Sequence, residues 1–173
     1  MTAGDISAWA GFFGIVAQVG ATLAGLIFVG LTISLQHVLA SRGYLSRAFA
    51  ALFLQFELLV IGVFGLVPNQ PPAALGGEFI VTGAALLVGI SLFSRSFPED
   101  ENSAVLGSKG MQRVRAVLTY SGTLFPVASG VALVAGWRGA LYLLIPAIIA
   151  CVYLSIGYAW VFAVEIPRRS SAK

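Results

Sequence analysis

The sequence predicts an all-α membrane protein, a polytopic helical bundle of about five transmembrane spans with its N-terminus outside and its C-terminus cytoplasmic. Of the 173 residues, 58% are hydrophobic and only 10% are charged, and the mean hydropathy is +0.94. A soluble domain carries roughly 25% charged residues. The apolar residues form long runs, and nearly all lysines and arginines lie between or beyond those runs. This combination is typical of a protein whose solvent is lipid.

Five segments are long enough to cross a bilayer, which takes about 20 mostly apolar residues in a helix. The first is longer than the bilayer requires, so we expect it to tilt or project. The third reaches a comfortable length only if it starts near Ala73 and leaves Glu78 at the interface. The predicted spans are 8–39, 48–67, 79–94, 116–136 and 139–164, and they make residues 1–173 a single transmembrane domain.

The connections between these segments carry breaking residues. The Pro-rich stretch 68–72 cannot continue a helix and separates the second span from the third. The sequence Gly-Trp-Arg-Gly at 136–139 predicts a tight turn, so the last two spans should form a helical hairpin. The only sizeable polar stretch is a predicted cytoplasmic loop, 95–115. A capping-box pattern within it predicts a short surface helix over 98–106.

The distribution of positive charge predicts the orientation. With the N-terminus outside and five crossings, nine of the ten lysines and arginines fall on the inner side, and only Arg138 remains outside. Cytoplasmic loops are enriched in lysine and arginine in this manner. An even number of crossings would place basic clusters on both sides of the membrane.

A polar and small stripe follows the first span. Gln18, Thr22, Gly25, Thr32 and Gln36 recur at spacings that keep them on one face of a helix. At about 1.5 Å per residue the stripe covers roughly 27 Å, close to the thickness of the hydrocarbon core. An amide facing lipid costs several kcal/mol, so this face should meet water or other helices. Helix packing is one interpretation, and a water-filled pore lined by several subunits, without a charged ring to select ion sign, is the other.

Glu57 is the only ionisable residue predicted deep in the membrane, about 15 Å beyond Arg47. A buried carboxylate needs a cation or strong donors, or else it stays protonated. We expect Glu57 to be mostly protonated at neutral pH unless it faces water. It is either a proton or cation site or a structural hydrogen bond between helices. The candidate donors are Gln18, Thr22, Ser121 and Thr123.

The fourth span contains Pro126, whose ring removes the hydrogen bond to the carbonyl of Gly122. A kink is expected there, and Gly122 with Pro126 is a candidate hinge. The hydroxyl-rich run 120–123 could satisfy the freed carbonyl.

Several classes of function are excluded or disfavoured. One cysteine and one histidine cannot close a four-ligand zinc site, so we expect no metal, and nothing indicates a cofactor. The positions of the basic residues argue against nucleic-acid binding. No hydrolase, metalloprotease, P-loop or dinucleotide-binding motif is present, so we expect no enzyme.

The run 20–31 resembles the first helix of many small bacterial membrane proteins, a resemblance that implies no activity. We expect a protein integral to a bacterial plasma membrane that partners the lipid bilayer and either itself or another membrane protein. The leading hypothesis is a self-associating protein, with a channel or permeation pathway lined by the polar stripe. The alternatives are an accessory or assembly subunit of a larger membrane complex, and a proton-coupled small-solute carrier that uses Glu57.

Overall fold

The computed structural model describes residues 3–40, 42–96 and 109–170, and within these ranges all regular structure is helical. A 3-10 turn over Ala140–Leu143 precedes α7, and a π-helical turn over Val161–Glu165 joins α7 to α8. The α-helices are α1 Ala3–Ser7, α2 Ala10–Ile33, α3 Leu35–Ala40, α4 Arg42–Gly65, α5 Pro72–Ser96, α6 Lys109–Val134, α7 Leu144–Trp160 and α8 Ile166–Ser170.

Five helical stretches in the described ranges are long and apolar enough to cross a membrane, which indicates an integral membrane protein. The predicted number of segments long and apolar enough to span a membrane is therefore confirmed. The stretches are Ala10–Ile33, Gly43–Gly65, Pro72–Phe93, Arg113–Val134 and Ala140–Arg168.

Several helices begin or end at residues other than the boundaries of the predicted spans. The third helix begins at Pro72 rather than at residue 79, because proline suits the first position of a helix and the carbonyl of Pro71 accepts the first backbone hydrogen bonds. The fourth helix begins at Lys109, within the predicted loop 95–115. Arg47, predicted between two spans, lies inside α4 with 4% of its surface exposed. The predicted surface helix over 98–106 lies outside the described residues.

The last two spans form the predicted hairpin. The α6 helix ends at Val134, and Gly136, two residues later, has a φ of +76°. The amide of Trp137 donates to the carbonyl of Ala132, and the amide of Gly136 donates to that of Leu133. This pair of bonds is a Schellman motif, which needs a left-handed residue at that point and so favours glycine. The buried hydroxyl of Ser129 donates to the carbonyl of Ala140 across the turn, at 2.9 Å.

The α4 helix lies at the centre of the bundle, in contact with α2, α5 and α7. In the most apolar window of each span, 50% of the residues are buried in α4 but only 22% in α2. The α2 helix therefore packs along one side only, and the rest of its surface is left uncovered by the described chain.

Glycines set the closest helix contacts. The α2 and α4 helices run antiparallel, and a Cβ built at Gly62 would lie 2.5 Å from the backbone nitrogen of Ala17. The α5 and α6 helices approach in the same way, with Gly76 against Gly130. Because lipid tails are as apolar as leucine, burial alone does not drive helices together in a membrane, and close backbone packing of this kind contributes much of the attraction.

The predicted first span, 8–39, is interrupted at Ser34, which separates α2 from α3. Ser34 is fully buried, and its hydroxyl donates to the carbonyl of Phe162 in the π-helical turn. In that turn the amide of Ile166 bonds to the carbonyl of Val161, five residues back. The next donor in this register would be residue 167, but Pro167 has no N–H. The hydroxyl of Ser34 thus satisfies the carbonyl that the proline leaves free.

The close contact at Gly62 gives a test of the packing. We expect Gly62→Ala to lower the free energy of unfolding by about 1–3 kcal/mol, the usual cost of overpacking, because backbone atoms of Ala17 cannot move aside. Reversible unfolding in mixed micelles, followed by circular dichroism, would measure it. The control is Gly157→Ala, where a Cβ meets nothing within 4 Å. Equal stabilities of the two variants would contradict the helix contact.

Candidate functional site

The sites predicted from sequence lie in three places: on the outer face of α2 and α3, in the centre of the bundle around Glu57, and along α6. The first place holds all five residues of the polar stripe, which we call the Gln18 stripe. Its members are Gln18, Thr22, Gly25, Thr32 and Gln36.

All five residues of the Gln18 stripe are exposed. The buried face of α2 includes Gly20 and Ile27, and at 100° per residue Ile27 lies about 180° around the helix from Gln18. A Cβ built at Gly25 would meet nothing within 4 Å. The stripe therefore points directly away from the core, and no described helix of this chain covers it.

The hydroxyls and the amides of the stripe differ in their hydrogen bonding. Thr22 donates to the carbonyl of Gln18, and Thr32 donates to the carbonyl of Phe28, each at 2.8 Å. Such bonds to the preceding turn satisfy a hydroxyl inside its own helix. The carboxamides of Gln18 and Gln36 have no hydrogen-bond partner among the described residues. The polar side chains of this face that lack a hydrogen-bond partner are thus two glutamines, one near each end of the stripe.

Glu57 lies in the centre of the bundle, with 1% of its surface exposed. Both of its carboxyl oxygens are buried and lack a hydrogen-bond partner within the described ranges. Within the described ranges no cation pairs with the carboxyl, so its burial costs free energy that no hydrogen bond returns.

The four predicted donors do not reach Glu57, and this expectation was wrong. Gln18 and Thr22 face out of the bundle. The hydroxyl of Ser121 donates to the carbonyl of Leu118 at 2.9 Å, and that of Thr123 donates to the carbonyl of Tyr120 at 3.1 Å. Since each hydroxyl has one proton, neither can also donate to the carboxyl. These bonds also leave the carbonyl of Gly122, freed by Pro126, without the predicted hydroxyl donor.

The candidate hinge lies within a helix that is continuous from Lys109 to Val134. Both Gly122 and Pro126 are buried. A Cβ at Gly122 would lie 2.9 Å from the sulfur of Cys151, so the glycine makes room for the thiol. The hinge itself stays a prediction, and the structure adds a packing reason for Gly122.

Sequence reasoning overlooked a second buried polar group. The amide nitrogen of Gln55 on α4 donates to the hydroxyl of Ser155 on α7, and both side chains are buried. Ser155 in turn donates to the carbonyl of Cys151 at 2.6 Å. The sequence does indicate this group, because Gln55 is a polar residue only two positions before Glu57 in the same apolar run.

A partly buried cation also escaped notice. Arg115, predicted in the cytoplasmic loop, lies in α6 with its guanidinium carbon 5.9 Å from the centre of the Tyr158 ring. This distance fits a cation–π contact.

The described residues hold no group of three or more histidine, cysteine, aspartate or glutamate side chains that could bind a metal ion.

Comparison of the chain with protein-family models, curated proteins and solved structures found no match. The function of this chain is therefore inferred from the geometry of the molecule alone.

The burial of Glu57 predicts that the carboxyl does not stabilise the fold. We expect Glu57→Met, which nearly conserves volume, to leave the free energy of unfolding unchanged or to raise it, because no hydrogen bond is lost and a desolvated carboxyl is removed. The neighbouring control Leu58→Ala should cost about 2–5 kcal/mol. Equal losses in the two variants, measured by unfolding in mixed micelles, would show that Glu57 has a structural partner.

Proposed function

We propose that this chain is an integral membrane protein that self-associates through the Gln18 stripe, and that the associated copies form a passive permeation pathway. The observation that carries the proposal is the position of the stripe. Gln18 lies on the least buried span, and Gln36 lies on α3 just beyond its end; both side chains are exposed. In a bilayer, the face that carries the stripe meets either hydrocarbon, another protein surface or enclosed water.

Contact between the amides of this face and hydrocarbon is energetically unfavourable. Transfer of an unpaired amide into an alkane-like medium costs about 4–8 kcal/mol. The stripe contains two such amides, and the remaining exposed residues of α2, such as Ile15 and Val29, are mostly apolar. Pairing both amides would recover most of this cost.

A second copy of the chain is the partner that the chemistry favours. A carboxamide carries both donors and acceptors, so a glutamine face is complementary to itself. The stripe has no formal charge and so needs no oppositely charged partner. Small residues such as Gly25 allow two copies of the helix to approach closely.

A closed ring of copies would turn the same face into a channel lining. The amides stand roughly 27 Å apart along the helix, nearly the thickness of the hydrocarbon core. Neutral amides and threonine oxygens would favour water and small uncharged solutes, since no charged ring is present to select an ion. The charge distribution supports an outside N-terminus and a cytoplasmic C-terminus.

Thiol crosslinking tests the interface, because the lone native cysteine, Cys151, is buried and can be replaced. On a Cys151→Ala background we expect Gly25→Cys to give crosslinked dimers in lipid vesicles. The matched control is Val81→Cys, at a position that is 70% exposed on α5. A direct disulfide needs Cα atoms within about 7 Å and would indicate helix contact, whereas crosslinking only by a longer reagent would indicate a pore. Equal crosslinking at both positions would contradict the interface.

Solute flux tests the pathway. We expect proteoliposomes to swell faster than empty liposomes in an uncharged-solute gradient, and the double variant Gln18→Leu, Gln36→Leu to lose this permeability several-fold, because an apolar lining expels water. Val81→Leu with Val88→Leu, on the exposed face of α5, is the control. Swelling at the rate of empty liposomes would argue against a channel. A monomer or dimer in native mass spectrometry would then favour an accessory subunit of a larger complex.

The buried carboxyl favours a second candidate, a proton-coupled carrier. Glu57 is an intramembrane ionisable group without a partner among the described residues, and such groups often serve as proton sites. If it acts so, Glu57→Gln should abolish the pH dependence of solute flux and leave unfolding unchanged. Flux that does not depend on pH in the native protein would exclude this candidate.

A further inference from the structure

The two flanks of α2 differ in shape. On one flank, a groove of about 650 Å³ lies between α2, α4 and α5 and opens to the outer surface of the bundle. Gly20 and Ala24 have small side chains that fill little of it, and Phe28 and Phe56, which also line it, are 58% and 54% exposed. The described helices therefore leave this groove open.

The other flank of α2 carries a row of bulky apolar side chains that are 49% to 62% exposed. We call this row the Leu26 ridge, and its members are Ile15, Leu26 and Ile33. At about 100° per residue, the ridge lies about 60–80° around the helix from Gln18. Ala24 and Phe28, on the groove side, lie about 80–120° from Gln18 in the opposite direction. The Gln18 stripe thus runs between a ridge and a groove.

A ring of copies would bring these two surfaces together. If the stripe of every copy faces a common axis, each α2 has one neighbour on either flank, so the ridge of one copy faces the groove of the next. The positions of the basic residues favour one orientation in the membrane for all copies, so equivalent residues lie at equal depth. Leu26 stands between Ala24 and Phe28 in the sequence, and it therefore lies at the level of the groove.

We propose that the groove receives the Leu26 ridge of a neighbouring copy, so that the copies assemble head to tail into a ring. This inference rests on the proposed self-association through the Gln18 stripe and names the surfaces that hold the copies together. Contact of ridge with ridge leaves both grooves empty, whereas contact of ridge with groove fills each groove once around a closed ring. Because lipid tails are as apolar as leucine, close packing of this kind, rather than burial, supplies the attraction. The stripes then line the axis instead of packing on one another.

Crosslinking between two different copies tests the docking. Two differently tagged forms of the full chain, both on a Cys151→Ala background, are mixed before reconstitution into phospholipid vesicles. One form carries Leu26→Cys, which keeps the other two ridge residues, and the second carries Ala85→Cys, at an exposed position of the groove on α5. A short bifunctional thiol reagent should join the two tags, because the ridge of one copy lies in the groove of the other.

The matched control replaces the second form with Ala128→Cys on α6. Ala128 is also exposed but does not line the groove, and it lies at a depth similar to that of Ala85 because Gly83 packs against Val127. We expect several-fold more mixed product with Ala85→Cys, and equal yields would overturn the docking. Crosslinking at Gly25→Cys without the mixed product would overturn the docking and leave the stripe contact standing. Failure of both crosslinks would overturn self-association itself.

Filling the groove gives a second measurement. Ala85→Trp should lower the fraction of oligomer in native mass spectrometry several-fold, whereas Ala128→Trp, an equally large change on α6, should leave it unchanged. Leu26→Ala should also lower this fraction. Because both changes act on one contact, the double variant should be little weaker than Ala85→Trp alone. Independent, additive effects of the two changes, or equal oligomer fractions in the two tryptophan variants, would show that the ridge does not dock in the groove.

Discussion

The constraint on which the structure depends is that hydrocarbon supplies no hydrogen bonds. Each polar group inside the span region must find its partner within the protein, among other copies or in enclosed water. Most do so locally: Thr22, Thr32, Ser121 and Thr123 donate to carbonyls of their own helices. Others join helices, as Ser129 does across the hairpin and Ser34 does at the π-helical turn. These long-range bonds fix the register of helices that apolar contact alone would leave free to slide.

The Ser34 bond shows how a local defect becomes a tertiary contact. Pro167 removes a backbone donor, and the π-helical turn shifts the unpaired acceptor to Phe162. The hydroxyl that satisfies it comes from a residue 128 positions earlier in the chain. Gly30 lies beside this contact, and a Cβ there would lie 3.2 Å from that of Phe162. The hydroxyl and the small residue together bring the end of α2 against the last helix.

Several polar groups have no hydrogen-bond partner in the described chain, and two of these features have a functional interpretation. The amides of the Gln18 stripe lie on the outer surface, and Glu57 is enclosed in the bundle centre. An apolar residue at each of these positions would leave the folding free energy unchanged or more favourable. Their positions separate a contact between copies from a proton site, so the two interpretations can be tested independently.

The sequence by itself determined the membrane class, the number of spans, the proline break after α4 and the turn at Gly136, because these follow from local solvation and backbone chemistry. It also determined that Gln18 and its companions share one face, since helical spacing fixes that. Only the tertiary structure decided where that face points, because the direction depends on which side of α2 packs against Gly62 and its neighbours. The sequence alone also could not show that Glu57 lacks a hydrogen-bond partner in the described chain or that Gln55 bonds to Ser155. Candidate hydroxyls could be counted, but their single protons are assigned only when the helices are in place.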